Sequence, residues 1–224
     1  MRSGSFGRRR IGRKIAGAAI ALLLAAGAYI FIPRYADLRT FDAAALARAE
    51  TSMWRHYYEK RYIPLFLDLY GLARDEQNFS PWDSFSLSVA AARAAKSFQP
   101  TRSRAEANAA IPQLIAYFQI LSRAAPVTVD VPQIARTELD WWQARREAVA
   151  PEDYGLIVAR VLSLLYGMEG DDVRRSGVLR AQAMAYRDAR DNINIMTDAD
   201  WLSIAEQLTA SYSLLKRAVS ARAR

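Results

Sequence analysis

From Ile15 to Ile32 the chain runs for 18 residues without a charge, IAGAAIALLLAAGAYIFI, and no other stretch narrows the available structures as far. Coiled as a helix it reaches about 27 Å, the depth of a bilayer's hydrocarbon core. It is too apolar for a helix with one face in water, so the sequence predicts a membrane span. Ala26-Gly27-Ala28 offers a small-x-small site of the kind at which signal peptides are cleaved, but Tyr29, Ile30, Phe31 and Ile32 prolong the apolar run past it. A retained anchor needs that extension and a cleaved signal does not. Arg2, Arg8, Arg9, Arg10, Arg13 and Lys14 precede the span with no acid among them. The positive-inside rule then places the amino terminus in the cytoplasm and the remainder of the chain outside, in a bacterium on the periplasmic face of the inner membrane.

Those six cations also decide what the net charge of +8 means. From residue 15 onward 25 basic residues face 23 acidic ones, so the rest of the chain is close to neutral. The charge thus serves topology, and no nucleic-acid partner is expected. The chain contains no cysteine, which excludes thiolate catalysis, disulfide exchange, iron–sulfur clusters and cysteine-bound zinc. The layout expected is a basic cytoplasmic tail over 1–14, a transmembrane signal-anchor over 15–32, a linker over 33–41 and a soluble domain over 42–224.

Within that domain the apolar residues recur at three and four, the helical period, and no stretch alternates as a half-buried strand would. Ala125 to Val131 is rich in strand-forming residues but short and flanked by prolines, so it reads as an extended crossover. Seven helices are expected. The first runs from a cap at Asp42 to about Arg74 and kinks at Pro64; others follow Ser80-Pro81, Ser103, Asp130, Pro151, Asp171 and Thr197. The third is expected to continue to about Ala124 through Pro112. The fold class is therefore all-α: a single transmembrane helix followed by a multi-helix bundle.

The first of these helices carries Glu50, Trp54, Tyr57, Tyr58 and Arg61, with Ala47, Trp54, Tyr58, Tyr62, Leu65, Leu69 and Leu72 on one wheel face. The fourth repeats the kit as Glu138, Trp141, Trp142 and Arg145. If both sets face inward they make a cleft of two carboxylates and two guanidiniums walled by aromatics, suited to a ligand or partner with a planar or apolar body and a charged end. The competing arrangement closes the charges on each other, Glu50 with Arg145 or Arg61 and Glu138 with another arginine.

Catalytic and metal motifs are missing. The lone histidine, His56, falls nearly opposite the apolar stripe and is expected at the surface. No Glu-x-x-His, Gly-x-Ser-x-Gly, phosphate-binding glycine loop or calcium loop occurs, so no catalytic residue, cofactor or metal is assigned. The expected role is that of a binding or assembly module whose partners are the lipid bilayer and another membrane or periplasmic protein, with a small-molecule ligand as a further option. Two alternatives stand beside it: a membrane-tethered enzyme using Glu50 and Glu138 as acid and base, and a purely structural subunit.

Overall fold

A computed structural model describes residues 5–32, 36–125, 127–191 and 196–221. Expectations that fall on Arg2, Pro33 to Tyr35, Pro126, the Asn192–Asn194 turn and the Arg222–Arg224 end lie outside the described residues. The chain is all-helical, with no strand among the described residues. Its elements are α1 (Ser5–Phe31), α2 (Ala43–Tyr58), α3 (Tyr62–Gly71), α4 (Pro81–Phe98), α5 (Arg104–Ala107), α6 (Ile111–Ala124), α7 (Val131–Arg146), α8 (Pro151–Tyr166), α9 (Asp171–Asp191) and α10 (Asp198–Ala221). The caps read from the sequence hold: Asp42, Ser80, Ser103 and Asp130 each accept a backbone N–H from three residues ahead, at 2.7 to 3.2 Å. Each satisfies a donor that the first helical turn cannot.

The expected kink at Pro64 is instead a full break. Arg61 N–H donates to the carbonyl of His56 at 2.9 Å and Lys60 N–H to that of Tyr57 at 3.2 Å, a Schellman closure with Lys60 in the left-handed region at φ 58°. Pro64, which has no N–H to give back to Lys60, sits in the first turn of α3, where none is needed. The reversal has two consequences. Tyr62, expected on the inward stripe, is exposed. His56, expected at the surface, is half-buried because α3 folds back over it, and its Nδ1 lies 2.5 Å from Asp68 Oδ2. The third expected helix is likewise divided: Pro112 cannot donate to Asn108, so the chain tightens into a 3-10 turn at Asn108–Ala110 before α6 restarts.

A second Schellman closure ends α7, with Ala148 at φ 57°. A side chain in that region carries steric strain of about 1–2 kcal/mol that glycine avoids. Allowing for glycine's looser unfolded chain, Lys60→Gly and Ala148→Gly are each expected to stabilise the fold by about 0.5 kcal/mol, read as a rise in thermal midpoint of ~1–2 °C.

α9 is the central element, packed between α8 and α10, while α10 also lies along α2. The α8–α9 seam is set by two glycines. A Cβ on Gly155 would stand 2.6 Å from Val178 Cα, and one on Gly177 2.7 Å from Ala159 Cβ. On its other side α9 meets α10 through buried Ser176 and Ser211, whose hydroxyls lie 3.1 Å apart. Tyr154, Phe79, Ile134, Ile204, Leu208 and Leu215 fill the interior around this frame. Ala36, Leu38 and Phe41, within the expected linker, are buried in the same core, and Tyr166 donates its hydroxyl proton to the Leu38 carbonyl at 3.3 Å.

α10 opens on a reciprocal capping box, Asp200 N–H to Thr197 Oγ1 and Thr197 N–H to Asp200 Oδ2 at 2.9 Å. Tyr186 OH, at 2.6 Å, and the Thr197 hydroxyl and amide hold the Asp200 carboxyl down at about 2. A carboxyl depressed in the folded state contributes stability that is present above its ordinary value near 3.8 and lost as pH falls from there toward 2. Asp200→Asn should therefore flatten the acid limb of a stability-against-pH curve between about pH 4 and 2. An unchanged limb would show that other carboxylates govern it.

α1 stands apart from this core. Its Lys14–Phe31 segment is apolar and none of it is buried in the protein. Its end touches the domain: Phe31 packs on Trp82 of α4 with ring centroids 5.4 Å apart, and Arg74 donates to Tyr29 OH at 2.8 Å.

Candidate functional site

The aromatic and charged sets of α2 and α7 both face α9, and the structure joins them through residues that the sequence did not single out. Glu50, only 3% exposed, accepts two bonds on Oε1 from Arg180 of α9, its Nε at 3.0 Å, and one on Oε2 from the hydroxyl of Tyr212 of α10. The Arg180 guanidinium lies between two indoles, 5.9 Å from the Trp54 ring and 5.3 Å from that of Trp141. Burial alone would lower the pKa of Arg180, but Glu50 and its neighbours outweigh this and raise it, so the cation is fixed. Tyr212 is pushed well above its ordinary value, by burial first and by the Glu50 charge second.

Two turns further along α9 a second cluster forms. Arg145 of α7 makes a bidentate pair with Asp188, at 2.9 and 2.6 Å, and donates to Tyr58 OH at 2.5 Å. Arg187 covers the opposite side, its guanidinium carbon 3.3 Å from the Tyr58 ring centroid, and pairs with Asp188 and Asp191. The Tyr58 ring is thus held by two cations, each an attractive cation–π contact. Tyr57 packs edge-on to Tyr58 at 5.0 Å. Among the described residues no hydrogen-bond partner meets the buried Arg187 Nε or Trp141 Nε1.

The remaining members of the expected cleft do not join these clusters. Arg61 is exposed and lies 3.7 Å from Glu59. Trp142 donates its indole N–H to Glu138 at 3.0 Å and packs on Phe98. Glu138 forms no ion pair among the described residues, and burial raises its carboxyl above the usual range against the opposing pull of Arg180. Tyr117, beside it, is pushed up to about 12 by burial and by the Glu138 charge. The pairings expected for a closed arrangement, Glu50 with Arg145 or Arg61, are replaced by Glu50 with Arg180 and Arg145 with Asp188. The choice is one of reach: α2 packs along α10, and the long Arg180 side chain of α9 extends to Glu50 while Arg145 is taken up by Asp188.

The Glu50 cluster is closed, while the Asp188 cluster, with its carboxylate 34% exposed, reaches the surface. Trp54 and Trp141 are buried with Glu50, and a groove elsewhere, lined by Arg104, Thr137, Asp140, Leu156, Ile157 and Arg160, is open and shallow. Among the described residues no three acidic or histidine side chains converge as metal ligands. Ser52 and His56 both bond the Asp68 carboxylate, at 3.2 and 2.5 Å, so the imidazole is not interposed between hydroxyl and acid as nucleophile activation needs.

No family matches. Neither a protein-family model, nor a curated protein, nor a solved structure shows significant similarity to the chain. The reading therefore rests on geometry alone. That geometry ties four helices, α2, α7, α9 and α10, together through charge and aromatic contacts.

Proposed function

We propose that this chain is a membrane-anchored helical module for assembly with another membrane or periplasmic protein. α1 is the span, the basic amino terminus is cytoplasmic, and the bundle lies on the periplasmic side of a bacterial inner membrane. The observation that carries the reading is the contrast between α1 and the rest: an apolar helix with none of its span buried, attached to a domain in which inward Glu50 and Arg145 are paired internally. Both oxygens of Glu50 are engaged by Arg180 and Tyr212, which supports a framework role for it over an acid–base one. The groove beside α8, with Leu156 half in water, is the face offered to the partner.

Alkaline phosphatase fused to the carboxyl terminus should be active in a bacterial host, since that enzyme matures only outside the cytoplasm; an inactive fusion beside a fluorescent cytoplasmic one overturns the topology. A tagged full chain extracted in mild detergent should co-migrate with a partner on size exclusion, and Leu156→Arg should release it. Migration as a lone monomer, before and after crosslinking, overturns the assembly role.

A further inference from the structure

α3 is out of keeping with the fold around it. Over its length Tyr62–Gly71, YIPLFLDLYG, is the most apolar of the described helices, yet none of its residues is buried. Ile63 is 78% exposed and Leu67 61%. At 100° per residue these two share a face with Phe66, while Asp68, the helix's one charge, points the other way. There it is taken up by Ser52 and His56 of α2. The helix thus turns its carboxylate into the protein and leaves Ile63 and Leu67 outside, where a surface helix in water would carry polar side chains.

The outward face is continuous with the end of the apolar span. Phe31 of α1 meets Trp82 at 5.4 Å, Trp82 meets Phe85 at 6.0 Å, and Phe85 meets Phe66 of α3 at 5.8 Å. Trp82 and Phe85, on the outer side of α4, are 46% and 44% exposed. Aromatic residues of this kind gather at the boundary between acyl chains and headgroups. Lys60 and Arg61 are exposed at the start of α3, where they would meet anionic headgroups.

We infer that α3, with Trp82 and Phe85 of α4, is a second membrane-contacting element, an interfacial helix seated in the headgroup boundary of the bilayer that α1 crosses. The inference rests on α1 being a membrane span. The physical reason is burial: apolar surface left in water by the protein is removed from it by lipid, with the charged rim on headgroups. The domain is then held flat against the membrane at two points and cannot swivel on a single tether.

The absence of cysteine from the sequence permits a direct test on the full chain. Single cysteines carrying a nitroxide are placed by Ile63→Cys, Leu67→Cys, Leu24→Cys and Leu156→Cys, each at an exposed position, so folding is unaffected and circular dichroism checks it. The protein is reconstituted into vesicles of phosphatidylcholine and phosphatidylglycerol, and collision of each label with oxygen and with a water-soluble nickel chelate is measured. The labels at 63 and 67 should favour oxygen over nickel, as should that at 24, with the ratio reversed at 156. A water-like ratio at 63 and 67 beside a lipid-like one at 24 overturns the inference and leaves the span intact. A water-like ratio at 24 overturns the span itself. Labels at 63 and 67 shielded from both reagents mean that a second protein copy covers the face, which also overturns the inference.

Discussion

Glu50→Ala is expected to destabilise the domain by about 2–4 kcal/mol, because it leaves the half-buried Arg180 cation between two indoles without its partner. Tyr212 loses its acceptor in the same step. Arg180→Met should cost a similar amount by stranding the carboxylate. The double variant Glu50→Leu, Arg180→Met should recover much of the loss, since a buried ion pair exchanged for apolar side chains of like volume is often near neutral. Glu138→Gln supplies the contrast. It keeps an acceptor for the Trp142 indole and removes a charge that burial disfavours, so its effect should stay within about 1 kcal/mol of zero. Denaturant unfolding in detergent, followed by circular dichroism, reads all four. A Glu50→Ala protein as stable as the parent would mean that the pair does not hold α2 to α9.

Gly177→Leu is expected to be the other severe change. The Cβ it introduces faces the Gly155 carbonyl oxygen and lies 2.5 Å from Ala159 N, both backbone atoms of α8 that cannot rotate away. α8 and α9 must separate along their whole seam, which also pulls on the Tyr154 hydroxyl bonded to the Ala181 carbonyl at 2.5 Å. Gly177→Ala alone should cost about 1–3 kcal/mol, the usual range for overpacking, and leucine more, enough to abolish a cooperative transition. If alanine is accommodated without loss, the seam is looser than its spacing indicates.

The helix starts were legible in the sequence because capping is local: Ser80, Asp130 and Thr197 bind amides three residues away, and that distance is visible in a string. The apolar span was legible for the same reason. The break at Lys60 was not, since a lysine gives no sign that it will adopt a left-handed backbone, and Pro64 is compatible with either a kink or a restart. That one misjudged turn sent Tyr62 outward and His56 inward. In the candidate site, the inward faces of α2 and α7 were readable from periodicity, but their partners were not. Arg180 and Arg187 sit seven apart on a helix rich in alanine and arginine, a pattern that looks solvent-facing until neighbouring helices cover it. Which arginine answers Glu50 is decided by helix order in space, which side-chain chemistry alone does not fix.

The pairing of Glu50 with Arg180 and Tyr212 joins residues separated by 130 and 162 positions. A ribosome delivers α2 long before either partner exists, so the nascent chain must wait, its acid hydrated, until α10 has emerged. Maturation is therefore tied to the synthesis of α10: a product truncated before it lacks the Tyr212 half of the clasp and presents itself to proteases as unfinished.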